Sequence, residues 1–93
     1  MEEKARAHLV VRGRVQGVCF RAETQRAART FGVSGWVRNK RDGTVEAIVE
    51  GAKKDVISLI NWCNTGPPIS RVEKVDVSWQ DFNDEFSEFG VRY

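Results

Sequence analysis

Histidine occurs once, at His8, and cysteine twice, at Cys19 and Cys63, with a long stretch between them and no C-x-x-C pair. A zinc site needs three or four such ligands at short spacings, so the sequence predicts no metal centre; two reduced thiols are the preferred reading, with a disulfide as the alternative. Proline is as scarce, with 2 residues, while 41% of the chain is hydrophobic, which excludes a disordered or Pro-rich tract. Long apolar runs are missing too, since nothing approaches the ~20 residues that a membrane-crossing helix needs. The opening MEEKARAHLVV lacks the basic start, apolar middle and small-residue cleavage site of a secretory signal, so a cytoplasmic location is expected. Neither sign of charge dominates. The 15 Lys and Arg against 13 Asp and Glu leave +2, spread along the chain with RNKR, 38 to 41, as the densest basic patch. Composition therefore asks for neither a nucleic acid nor an anionic membrane as partner.

What is present fits one domain over residues 1–93, near the lower size at which a hydrophobic core suffices without staples. A monomer is the expected state. From Ala7 to Arg12 apolar and polar residues alternate, with Ala7, Leu9 and Val11 on one side, as in a strand with one buried face. Phe20, Thr24, Ala27, Ala28 and Phe31 then recur at helical spacing, and Gly32 supplies a left-handed stop. VSGWVRNKRDGTVEAIVEG reads as a hairpin around the Asp42-Gly43 pair, whose residues tolerate the positive φ of a tight turn, with Val45, Ala47 and Val49 facing inward. A second helix is predicted from about Lys53 to Asn64, with Val56, Leu59, Ile60 and Cys63 as its apolar stripe and TGPP as its end. VEKVDVSWQ places Val75, Val77 and Trp79 on one face of a further strand, and FGVRY could add a short edge strand.

The order strand, helix, strand, strand, helix, strand predicts an α+β fold, the ferredoxin-like α/β sandwich. Its sheet is mostly antiparallel, both helices lie on one face, and a short extra strand follows at the end.

The stretch GRVQGVCFR, 13 to 21, joins the first strand to the first helix. A helix N-terminus presents unpaired N–H groups and partial positive charge. Gly13 and Gly17 allow the backbone to approach a ligand and curl its N–H groups around an oxyanion as a nest. Arg21, in the first helical turn, adds a permanent charge with a planar fork of donors matched to two phosphate oxygens. Against this stands the plainer reading, in which the glycines are turn residues and the arginine is solvated. The loop is neither a P-loop nor a dinucleotide fingerprint, because G-x-x-x-x-G-K-[ST] and G-x-G-x-x-G are both absent. Cys19 precedes Arg21 by only two positions, too close for the wrap of a cysteine phosphatase, and reads as a loop or packing thiol.

GRVQGVCFR together with GWVRNKRDGTVEAIVEG, 35 to 51, resembles the paired signature of the acylphosphatase family, and the likeness runs nearly the whole chain to the closing VRY. The first motif carries Val15, Gln16, Gly17, Phe20 and Arg21; the second carries Gly35, Trp36, Asn39, Gly43, Val45 and Gly51. The resemblance implies hydrolysis of the carboxyl-phosphate anhydride of an acyl phosphate to a carboxylate and inorganic phosphate, with no metal or cofactor. It further implies that Arg21 and the loop N–H groups of Val15, Gln16, Gly17, Val18, Cys19 and Phe20 bind the phosphoryl group, and that Asn39 holds the attacking water. Without the motif, Asn39 would read as a turn residue bonded to its own backbone.

The other singled-out side chains have plainer expectations. His8 is expected in a surface or edge-of-core role. Trp36, Trp62 and Trp79 are expected to pack on the sheet, Trp36 also bordering the acyl side of the site. Arg92 and Tyr93 are expected to close the sheet. Two rival functions share the fold. A carbamoyl-phosphate-handling or non-catalytic relative inside a larger maturation enzyme would carry the same motifs, whereas a free-standing chain favours the independent hydrolase. An RNA-binding sheet would display aromatics on its two central strands, and AHLVVRG and TVEAIVE carry none.

Overall fold

The computed structural model describes residues 2–93. Its elements run β1 (Lys4–Arg14), α1 (Phe20–Phe31), β2 (Ser34–Asn39), β3 (Val45–Ala52), α2 (Lys53–Thr65), β4 (Arg71–Gln80) and β5 (Phe89–Arg92). The sheet order is β4-β1-β3-β2-β5, with antiparallel pairing everywhere except the parallel β2 and β5. This is the ferredoxin-like α+β architecture that the element order predicts. No helix among the described residues is long and apolar enough to cross a membrane.

Register explains which side chains meet. Ala7, Leu9 and Val11 of β1 stand opposite Val49, Ala47 and Val45 of β3, so both strands turn the same face to the helices. All six are buried there with Phe20, Ala28, Val56, Leu59 and Cys63 from the helical stripes. Each such aliphatic or aromatic side chain contributes roughly 1.5–3 kcal/mol by leaving water. Glu23 in the first turn and Arg29 in the last suit the α1 dipole. Thr24, buried on the same helix, satisfies its hydroxyl by donating to the Phe20 carbonyl at 2.7 Å.

Two expectations change in detail. The hairpin connection is a five-residue loop rather than a tight two-residue turn: Gly43 N–H donates to the Lys40 carbonyl, and only Gly43 takes positive φ, at 91°. Asp42 keeps negative φ because its carboxylate serves the turn another way, accepting from the Thr44 N–H at 3.0 Å and hydroxyl at 2.6 Å. The second change lies in β4. Val72 and Val75 pack on the core, but Val77 and Trp79 remain 36% and 49% exposed. β4 is an edge strand, and there the Lys53 ammonium, 5.7 Å from the Trp79 ring centroid, stands where apolar cover was expected.

The opposite sheet face is charged. His8 Nε2 lies 2.7 Å from Glu46, which also accepts from Arg38. Glu50, 1% exposed, accepts from the N–H groups of Asn83 and Glu85 and from Arg6, pinning the segment between β4 and β5. His8 is thus a partly buried sheet residue hydrogen-bonded to Glu46.

Candidate active site

The β1–α1 loop is anchored by its hydrophobic side chains. Val15, Val18 and Phe20 are buried at 1%, 3% and 2%, while Gly17 and Cys19 between them are exposed. Three side chains driven into the core leave the intervening backbone on the surface. Gly17 has φ 73° and Cys19 φ 63°, with Val18 of ordinary negative φ between them. Alternation of hand along successive residues is what a backbone nest for an anion requires. Among the described residues the N–H groups of 15–20 donate to no carbonyl or side chain. Cys19 is also the N-cap of α1 and its side chain makes no cap bond, so the helix terminus opens onto the same concavity.

Gly13 plays a different part from the one expected. It lies within β1, at a register shift against β4, where a Cβ would sit 2.1 Å from the Arg71 carbonyl oxygen. The close approach it permits is to a neighbouring strand. Gly17 has nothing within 4 Å of where its Cβ would be, and there the positive φ alone favours glycine.

Arg21 and Asn39 both line one cavity of about 410 Å³ together with Gly17, Cys19, Phe20, Ala22, Gln25, Val91 and Tyr93. Arg21 comes from the first turn of α1. Its Nη1 donates to the Arg92 carbonyl at 3.3 Å, a long bond, and its guanidinium carbon lies 4.7 Å from the Tyr93 ring centroid. No carboxylate pairs with it among the described residues, in contrast to Arg6, Arg12 and Arg38. Asn39 ends β2, on the core-facing side opposite Val45. The turn bonding that asparagine would otherwise perform is done by Asp42, and among the described residues the Asn39 carboxamide makes no hydrogen bond.

Gln16 points elsewhere. Its side chain leaves the loop and donates to the carbonyls of Lys40 and Thr44. Trp36 does not border the cavity. Its strand position puts it on the charged sheet face, with Arg92 and Arg38 at 4.5 and 5.4 Å from its ring. Trp62 packs on Phe20, ring centroids 5.6 Å apart. Tyr93, expected to serve only the sheet, lines the site. Gln25 was missed, although it follows Arg21 by one helical turn and so shares its face; its Nε2 donates to the Phe89 carbonyl at 3.1 Å and ties α1 to β5. The two thiols are separate, Cys19 exposed in the loop and Cys63 in the core, where burial pushes it up to about 12.

Comparison with known proteins shows the family. The family model described as Acylphosphatase matches residues 7–91. An acylphosphatase of Pelotomaculum thermopropionicum is 51% identical over 90 residues, spanning 97% of this chain and 98% of that protein. The crystal structure of acylphosphatase from Bacillus subtilis superposes with a TM-score of 0.92 at 32% identity, covering 96% of this chain and 99% of that one. A likeness of fold alone extends to full-length HypF, with a TM-score of 0.86 at 22% identity over 100% of this chain and 12% of that protein. The uncompensated arginine, the unengaged asparagine, the left-handed loop and these matches lead to one assignment: the chain belongs to the acylphosphatase family.

Proposed function

We propose that this family member hydrolyses acyl phosphates by direct attack of an Asn39-held water on a phosphoryl group gripped by the β1–α1 loop and Arg21. The observation that carries this reading is the convergence of Arg21 and Asn39, neither committed to a strong internal partner, on one cavity beside Gly17 and Cys19. The small-molecule acyl phosphate enters phosphoryl end first. Loop N–H groups of residues 15–20 and the guanidinium then face the equatorial oxygens, where charge concentrates during phosphoryl transfer. The Asn39 carbonyl accepts from water and its amide donates, fixing orientation without removing a proton.

The leaving group accounts for the spare chemistry. Water oxygen bonds to phosphorus as the bond from phosphorus to the acyl oxygen breaks, and the electron pair leaves on a carboxylate. The conjugate acid of that carboxylate has a pKa of about 4 to 5, as for side-chain carboxyls, so no general acid is needed to protonate it. The water's proton passes to a phosphate oxygen, and inorganic phosphate is the second product. The work left to the protein is alignment and charge. A cytoplasmic monomer, folded as one domain over 1–93, completes the proposal.

The test follows loss of benzoyl phosphate and acetyl phosphate with and without chelator, against a phosphate monoester and carbamoyl phosphate. Anhydride cleavage insensitive to chelator, with the monoester untouched, is the expected pattern. Cleavage of the monoester, or activity abolished by chelation, overturns the mechanism; a marked preference for carbamoyl phosphate transfers the assignment to the rival domain.

A further inference from the structure

The side chain of Gln16 spans the two segments that frame the cavity. Its Nε2 donates to the Lys40 carbonyl at 2.7 Å and to the Thr44 carbonyl at 2.9 Å. Both partners are acceptors only, so the NH2 end must face them and both of its hydrogens are used. Lys40 follows Asn39 directly, and Thr44 closes the same turn ahead of β3.

These bonds are surplus to the needs of the turn. The Thr44 carbonyl already accepts from the Lys40 N–H at 2.9 Å, and the Lys40 carbonyl from the Gly43 N–H at 3.2 Å. The Asp42 carboxylate braces the turn again through Thr44. Each carbonyl offers a second lone pair to Gln16, and neither would be orphaned without it. What the carboxamide adds is a fixed separation between two segments far apart in sequence. On one side of it stands the loop with its exposed N–H groups; on the other, one residue away, stands Asn39.

We propose that Gln16 is a positioning residue, whose two-point clamp sets the end of β2 against the phosphate loop and thereby places the Asn39-held water in line with phosphorus. The inference rests on the water-holding reading of Asn39. A family member binding phosphate through the loop alone would have no use for the clamp, since phosphate contacts do not involve the turn. An attacking water does, because a misplacement of about 1 Å costs on the order of 10²-fold in rate.

Gln16→Met keeps length without donors, and Gln16→Glu keeps shape but turns an anion toward two carbonyl oxygens. In both, kcat for benzoyl phosphate is expected to fall roughly 10-fold or more, while competitive inhibition by inorganic phosphate stays near that of the parent. The decisive readout is a double-variant cycle. Once Asn39→Ala has removed the group being placed, adding Gln16→Met should cost nothing further in kcat. Losses that multiply overturn the clamp, as do unchanged kcat in the single variants, phosphate inhibition weakening in step with kcat, or failure of both variants to fold. Parent-like turnover in Asn39→Ala alone sinks instead the underlying reading of Asn39, so the two failures are distinguishable.

Discussion

The guanidinium carbon of Arg21 lies 4.7 Å from the ring centroid of Tyr93, and the same guanidinium donates to the carbonyl of Arg92. Arg21 is therefore held by the last residue of β5 and the one that follows it. Tyr93 is fully exposed, so the contact is worth about 0.5–1 kcal/mol, as for other solvent-facing cation–π pairs. Tyr93→Ala should weaken inhibition by inorganic phosphate about 2- to 5-fold, the same energy expressed as affinity, and leave the melting temperature near that of the parent. Unaltered phosphate inhibition would show that the ring does not orient the arginine.

Arg21 and Asn39 should fail in different ways. Asn39→Ala is expected to fold, to retain phosphate inhibition and to lose roughly 10²-fold or more in turnover, the scale of a lost positioning group. Arg21→Gln removes the charge from both the ground-state and the transition-state complex, so phosphate inhibition and turnover should collapse together with the fold intact. Steady-state rates with phosphate as competitor separate the two patterns.

Acid should act through Glu50. Burial pushes its carboxyl up, but hydrogen bonds from the Asn83 and Glu85 N–H groups and from Arg6 outweigh burial and hold it below its ordinary value. A depressed folded-state value means the stability it contributes is complete above the unfolded value of about 4.3 and is lost as pH falls through the folded one. Glu50→Gln should destabilise the chain by about 1.5–3 kcal/mol near neutrality, the range for hydrogen bonds to a charged group. The gap from the parent should close below pH ~4, as measured by denaturant melts across that range. A constant gap at every pH would remove Glu50 from the acid response.

The thiols should behave oppositely. Cys63 is buried and pushed up to about 12, whereas Cys19 is exposed in the loop. A soluble alkylating reagent near neutral pH should label one thiol in the native chain and two after denaturation. Under the proposed function inorganic phosphate should slow the native reaction, because Cys19 lines the cavity that Arg21 and Asn39 share. Equal labelling rates for the two would contradict the burial.

Much of this was legible in the residues. Periodicity identified β1, both helices and the inward face of β3, because those segments have one strongly buried side and period alone decides them. The far half of β4 misled the same logic: Val77 and Trp79 alternate correctly, but alternation does not reveal that the strand is an edge. The Asp42-Gly43 pair signalled a turn without fixing its length, which depended on the Asp42 side chain choosing Thr44 as partner. Motif spacing singled out Arg21 and Asn39, and the fold brings both to one cavity. The placements of Tyr93 and of the Gln16 side chain were not legible, because their partners, the Arg21 guanidinium and two backbone carbonyls, are brought near only by the parallel pairing of β2 with β5 and by the hairpin.

The β1–α1 loop is held by Val15, Val18 and Phe20, which belong to the same buried cluster as Leu9 and Leu59. If the loop grips phosphate as proposed, recognition and cohesion share their anchors, and the anion meets a surface whose ordering cost folding has already met. On heating, such a site has no reason to soften ahead of the rest: loss of turnover and loss of tertiary structure should trace a single sigmoid.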